Sequence, residues 1–185
     1  VANYPDYHPE HPGGLTEGGR SLDNALFALP ELGDWGNQIR NHERANRVML
    51  TETPLGGATV LPGHDVIKQR VKKGEIGMGP ALVAGLLKGL LDLGIEPQTQ
   101  SQAIQLLGGT KGVTGVTINH KGQPLDVTSK KGVIIATGGF EWNSELVRTF
   151  LRGPMTAPAG SPENTGDGLQ MAMDVGAKLG NMRNA

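Results

Sequence analysis

Apolar residues recur along this chain with two periods, and the change of period marks its elements. Leu82, Val83, Leu86, Leu87, Leu90, Leu91 and Leu93 fall at helical spacing and give one broad apolar face. Pro80 suits the first turn of that helix and Gly94 its end, so a helix is predicted over 80–93. Residues 95–107 are expected to hold two short strands. From Gly112 to Val127 the period falls to two, which predicts a hairpin turning at Lys121-Gly122. Val133 to Ala136 is unbroken apolar sequence and reads as a short strand buried on both faces. Helices are predicted over 143–151, capped by Asn143 or Ser144, and over 165–179, capped by Thr165 and weakened at its far end by Gly176.

The amino-terminal part is less patterned. Residues 1–20 are rich in proline and glycine and read as irregular loop. A short helix is expected over 21–30, capped by Ser21 and stopped by Pro30. Within 31–74, which carries few other signals, Val48 to Thr53 reads as a strand and Leu55 to Gly63 as loop. Val66 to Lys73 reads as a helix bearing the basic residues Lys68, Arg70, Lys72 and Lys73, a solvated face rather than a phosphate site. The order helix, strand, hairpin, strand, glycine turn is that of half a two-part nucleotide-binding fold. The expected class is α/β, or α+β for this stretch taken alone.

Composition narrows the functions. The net charge of −1 gives no pull towards nucleic acid or an anionic membrane. No apolar run approaches the roughly 20 residues that span a bilayer, and the start lacks the basic and apolar regions of a secretory signal. With no cysteine there is no disulfide framework and no thiolate nucleophile. A cytoplasmic location is the expectation. Glycine is abundant, at 29 of 185 residues, while aromatics make up 4%. That balance points to tight turns and close backbone approaches around a modest core. Together with the start at Val1, it reads as a piece of a larger protein.

Two glycine turns carry the candidate chemistry. Ala136-Thr137-Gly138-Gly139 follows the apolar strand, at the end of a sheet where nucleotides bind; an ordinary strand-to-helix turn has the same composition. Thr165-Gly166-Asp167-Gly168 opens a helix, with Asp167 at the positive end of its dipole. Capping alone accounts for that motif. A carboxylate there does not seek a pyrophosphate, and it suits a hydroxyl or a ring N–H donor instead. Gly77-Met78-Gly79 imitates the start of a dinucleotide fingerprint, but Leu82 occupies the third glycine position. His8, Glu10 and His11 lie in loop among prolines, without the helical i,i+4 geometry of zinc sites, and no metal site is expected.

Four stretches carry a family resemblance: YPDYHPEHPGGLTEGGRSLD, GMGPALVAGLLKGLLDLGIEP, KKGVIIATGGFEWNSELV and SPENTGDGLQMAMDVGAKLGNM. Together they resemble the flavoproteins of the fumarate reductase and 3-ketosteroid dehydrogenase superfamily, with the nearer likeness to the 3-ketosteroid Δ1-dehydrogenase group. The resemblance implies FAD as cofactor, a steroid-like substrate and dehydrogenation of an activated C–C bond. It implies a partial Rossmann-like FAD-binding domain with a β-meander, over 75–140. Residues 1–74 and 141–185 would then lead from and towards a substrate domain. Ala136 to Gly139 and Thr165 to Gly168 would line the FAD site. Ile104 would lie where the fold meets the adenine, although a core strand residue reads the same way. Tyr7 would serve as an acid–base helper, although a tyrosine among prolines also packs on them. The fingerprint would precede Val1 and the rest of the enzyme would follow Ala185, leaving this chain as a middle third whose other partner is its parent. Two alternatives stay open: a fumarate-reductase-like enzyme, and a non-catalytic fragment that self-associates and holds no FAD.

Overall fold

A computed structural model describes residues 8–14, 16, 23–40, 47–109 and 112–182. The chain forms two compact units, residues 1–97 and 98–185. Helices and antiparallel strands make up both, and no parallel pair occurs among the described residues.

In the first unit, β1 (Phe27–Ala28) pairs antiparallel with β2 (Glu75–Ile76). Between them run 3-10 turns over Leu29–Gln38, Leu50–Glu52 and Pro54–Gly56, then helix α1 (His64–Lys73). Helix α2 (Met78–Asp92) follows β2. Two expectations fail here. The helix expected over 21–30 is absent from residues 23–28, and Pro30 sits in the first turn of a 3-10 helix instead of ending an α-helix, because its fixed φ and missing N–H suit a first turn; the expected cap, Ser21, lies outside the described residues. The expected Val48–Thr53 strand is instead a 3-10 turn, with Asp23 accepting a hydrogen bond from the Leu50 N–H and Glu52 accepting one from Met49 N at 2.9 Å. Side-chain acceptors have taken donors that a strand would give to a neighbour.

Helix α2 extends two residues beyond the predicted start, with Gly77 as its N-cap residue. A methyl at Gly77 would overlap the carbonyl oxygen of Val48, so glycine is required by packing. The buried face is Ala81, Ala84 and Leu87, against Leu32 and Ile76. Small residues let the helix sit close. Leu82, Val83, Leu86, Leu90 and Leu93, counted in the predicted apolar face, are exposed.

Helix α1 starts two residues before the predicted Val66 and ends at Lys73 as expected, closed by Gly74 at φ +68. Its basic cluster is not uniform. Lys68, Lys72 and Lys73 are exposed, while Arg70 grips Glu52 in two parallel bonds of 2.7 and 2.6 Å and also donates to the Arg47 carbonyl.

The second unit is a three-stranded meander followed by two short helices. Strands β3 (Ser101–Gly109), β4 (Gly112–His120) and β5 (Gln123–Thr128) lie in sequence order, all antiparallel. The β4–β5 turn falls at Lys121 (φ +51) and Gly122 (φ +85), as the period-two pattern requires. One long strand replaces the two expected over 95–107. It is interrupted by a bulge at Ile104, which has no partner on β4. Helix α3 (Ser144–Phe150) is capped by Asn143, whose Oδ1 accepts from Glu145 N and Leu146 N at 3.1 Å each. Helix α4 (Asp167–Asp174) is shorter than predicted and packs against β3.

Residues 132–140 form no strand. Ile134 is 94% exposed, so the expectation of a strand buried on both faces is corrected. A strand exists only by exchanging hydrogen bonds with a neighbour, and no described segment pairs with this one. Among the described residues, no helix is long and apolar enough to cross a membrane.

Candidate functional site

The two glycine turns singled out in the sequence lie against each other. Gly166 N donates to the Gly139 carbonyl at 3.0 Å, and Trp142 N to the Asn164 carbonyl at 3.1 Å. The Asn143 side chain donates to the Thr165 carbonyl at 3.0 Å. Thus the residue that caps α3 also ties down the loop before α4.

Packing explains the glycines here. A methyl at Gly168 would overlap Thr137 Oγ1 and Ile135 Cγ2, and one at Gly166 would overlap Leu146 and Phe140. Gly166 and Gly168 are buried and face the first turn. Gly138 (φ +78) lies under the side chain of Asn164, and Gly139 under that of Glu141. The expected reason for glycine, room for a ligand, is therefore joined by a second: the turns are too close for side chains between them.

The outward side is bare. Ala136, Thr137, Gly138 and Gly139 are all exposed, outside any strand ladder. Asp167 is exposed at the start of α4, and Thr165 Oγ1 donates to its Oδ1 at 2.8 Å. Thr165 does not cap the helix. Gly166, at φ +82, is the N-cap residue, and no side chain caps there. The left-handed turn at Gly166 sets Thr165 one residue too far out. Ile104 is 48% exposed, so it is not a core residue. A strip of exposed backbone with small side chains suits a cofactor read largely by main-chain groups, and the residues present fit FAD in that respect.

A cavity of about 580 Å³ opens beside the first turn, lined by Phe140, Leu151, Met155 and Pro158 with Gly139 and Glu141. Its size matches a small-molecule site. Glu141 is the residue that sequence reasoning missed. The available signal was one acidic side chain between Phe140 and Trp142, directly after the glycine turn.

Elsewhere, His8, Glu10 and His11 bring their ligand atoms within 4.8 Å of one another in an exposed turn, despite the lack of helical spacing. His8 Nδ1 donates to Glu10 Oε1 at 2.9 Å. The Glu10 carboxyl is held below its usual range by backbone hydrogen bonding first and by His8 second. Tyr4 and Tyr7 lie outside the described residues.

The chain matches known proteins over nearly its whole length. It is 34% identical to 4-oxocyclohexanecarboxylate 2-dehydrogenase of Sinomonas cyclohexanicum, across 99% of this chain and 32% of that protein. It is 29% identical to 3-oxosteroid 1-dehydrogenase of Mycobacterium tuberculosis, across all of this chain and 37% of that protein. Among solved structures, it superimposes on 3-ketosteroid Δ1-dehydrogenase of Sterolibacterium denitrificans, crystallised with 1,4-androstadiene-3,17-dione. The TM-score is 0.77 at 29% identity, over 98% of this chain and 37% of that one. The chain thus spans about a third of the length of these relatives, and the resemblance read in its motifs holds. The FAD binding domain family matches residues 19–185, and the chain belongs to that family.

Proposed function

We propose that this chain supplies one wall of the FAD site, and part of the substrate site, of an oxidoreductase that desaturates the C–C bond next to a ring ketone, of 3-ketosteroid type. The observation that carries the reading is the fastening of the two glycine turns, which leaves a bare backbone strip beside an apolar cavity. The relatives in hand share the chemistry of a ring ketone losing hydrogen from the adjoining carbons, as their names state. In this reading the β-meander and the 136–139 strip belong to a Rossmann-like FAD domain, and residues after 141 lead into the substrate domain.

Thr137, Asp167 and the exposed backbone of 136–139 would hold FAD, with Asp167 accepting from a hydroxyl or a ring N–H. Ile104 would meet the adenine. Gly166 and Gly168 would act indirectly, by letting the second turn close on the first. The bound flavin supplies the hydride acceptor. This chain orients it, keeps water from one side of it and, through Tyr7, helps move the acidic proton beside the carbonyl. A phenol with an ordinary pKa of about 10 needs local stabilisation to do so.

The test is flavin uptake followed by turnover. The full-length protein, mixed with FAD and desalted, is expected to stay yellow. In the full-length protein, 1,2-desaturation of a 3-ketosteroid with an artificial electron acceptor is expected. Tyr7→Phe should lower kcat by about 10²-fold or more, in the range of general acid–base catalysis, with little change in flavin content. Colourless protein that takes up no FAD would favour the non-catalytic reading, and turnover of fumarate alone would remove the ring-ketone assignment.

A further inference from the structure

The cavity beside the glycine turn has one charged residue among its described lining residues, Glu141. That side chain is fixed. Asn164 Nδ2 donates to Glu141 Oε1 at 2.6 Å. The carboxylate and the amide fill a cradle where Gly138, Gly139 and Gly160 lack side chains, and a methyl at any of the three would overlap one of the pair. The Trp142 indole donates to the Gly160 carbonyl at 2.9 Å and holds the far side of that cradle. The rest of the lining is Phe140, Leu151, Met155, Met182, alanines, Pro158, glycines and Asn181. No described cation lines it. Arg148 and Arg152 line neighbouring hollows.

We infer that Glu141 sets the substrate class of this cavity: a neutral ring ketone is admitted, and the same ring bearing a carboxylate is disfavoured. The inference rests on the proposed substrate site and deepens it, because the relatives include enzymes named for both kinds of ring ketone. Held at the wall of this open hollow, the carboxylate repels a second negative charge about 4 Å away by roughly 1 kcal/mol even at the dielectric of water. Such selection by repulsion needs no favourable contact with the preferred ligand. Relief by protonating Glu141 is opposed at neutral pH. The Asn164 amide first, and the residue's own backbone second, hold its carboxyl below the usual range. Relief by rotating it away is opposed by the cradle.

A matched ligand pair tests this. Calorimetry on the FAD-loaded protein would compare 4-oxocyclohexanecarboxylate with its neutral methyl ester, in wild type and in Glu141→Gln. Glutamine keeps an acceptor for Asn164 and removes only the charge. The ester should bind roughly fivefold tighter than the acid in wild type, and the ratio should shrink to within about twofold in the variant. An unchanged ratio in Glu141→Gln would overturn the inference, as would equal binding of acid and ester by wild type. Binding of neither ligand would overturn it too. The same titrations on FAD-free protein separate this outcome from failure of the FAD reading, since the ratio is a property of the cavity and not of flavin uptake.

Discussion

At the scale of single residues, position relative to the turns matters more than residue type. Gly168 shows this. Its place at the start of α4 reads as a motif glycine, yet its neighbours are Thr137 of the first turn and Ile135 just before that turn. Gly168→Ala is expected to push the turns apart, lowering stability by about 1–3 kcal/mol by urea unfolding and reducing flavin retention with it. The Glu52–Arg70 pair gives a second prediction. The Glu52 carboxyl is held below its usual range, mainly by the Arg70 hydrogen bond, against a smaller opposing effect of burial. Between the folded and unfolded pKa values the unfolded chain therefore binds more protons, and stability rises with pH there. The pair's contribution is complete above the ordinary carboxylate range and is lost as pH falls through the lowered value. The unfolding free energy of Glu52→Gln, measured by urea titration, should be lower by about 1–2 kcal/mol near neutral pH, and its acid limb should be flatter than wild type. Neither partner was legible in the sequence. Arg70 sat in a run of lysines, and Glu52 in a stretch that resembled a strand.

Among the elements, those specified locally were legible and those needing a distant partner were not. The Lys121-Gly122 hairpin, the α1 helix and the Asn143 cap each follow from a few adjacent residues. The reading failed at Val48–Thr53, where Asp23 from 27 positions away takes a backbone donor. It failed again at Val133–Ala136, where a ladder needs a neighbour. Helix α2 was found but its inner face was misjudged. Hydrophobicity favours the leucines, whereas close approach favours Ala81 and Ala84. Two substitutions check the face. Leu87, 9% exposed, should cost about 2–5 kcal/mol on change to alanine. Leu86, 64% exposed, should cost well under 1 kcal/mol. Equal losses measured by chemical denaturation would contradict the placement.

For the whole molecule, the candidate site was half legible. The two turns were visible as motifs, and their fastening was not, because it runs through main-chain groups and through Asn164 and Glu141. The chain has abundant turn-forming glycine and few aromatic residues, so bound ligand should weigh heavily in its stability. FAD that binds only the folded state is expected to raise the thermal midpoint as its concentration rises past Kd, by an amount set by RT ln(1 + [L]/Kd). A scan from sub-stoichiometric to hundredfold excess FAD checks this; a midpoint independent of FAD would count against the site.

The unpaired stretch after Gly132 has a consequence for the unfolding chain and for handling the protein. Val133-Ile134-Ile135-Ala136-Thr137 is short, β-prone, uncharged and free of proline, which is the profile of a segment that zips onto copies of itself. Lys130 and Lys131 precede it with Gly132 between, and Gly138-Gly139 follow directly. Placed there, the two lysines act as gatekeepers, and the glycines deny a growing stack any further side chains to interlock. This exposed, unpaired strip is thus flanked by charge and by glycine, which oppose its pairing with copies of itself.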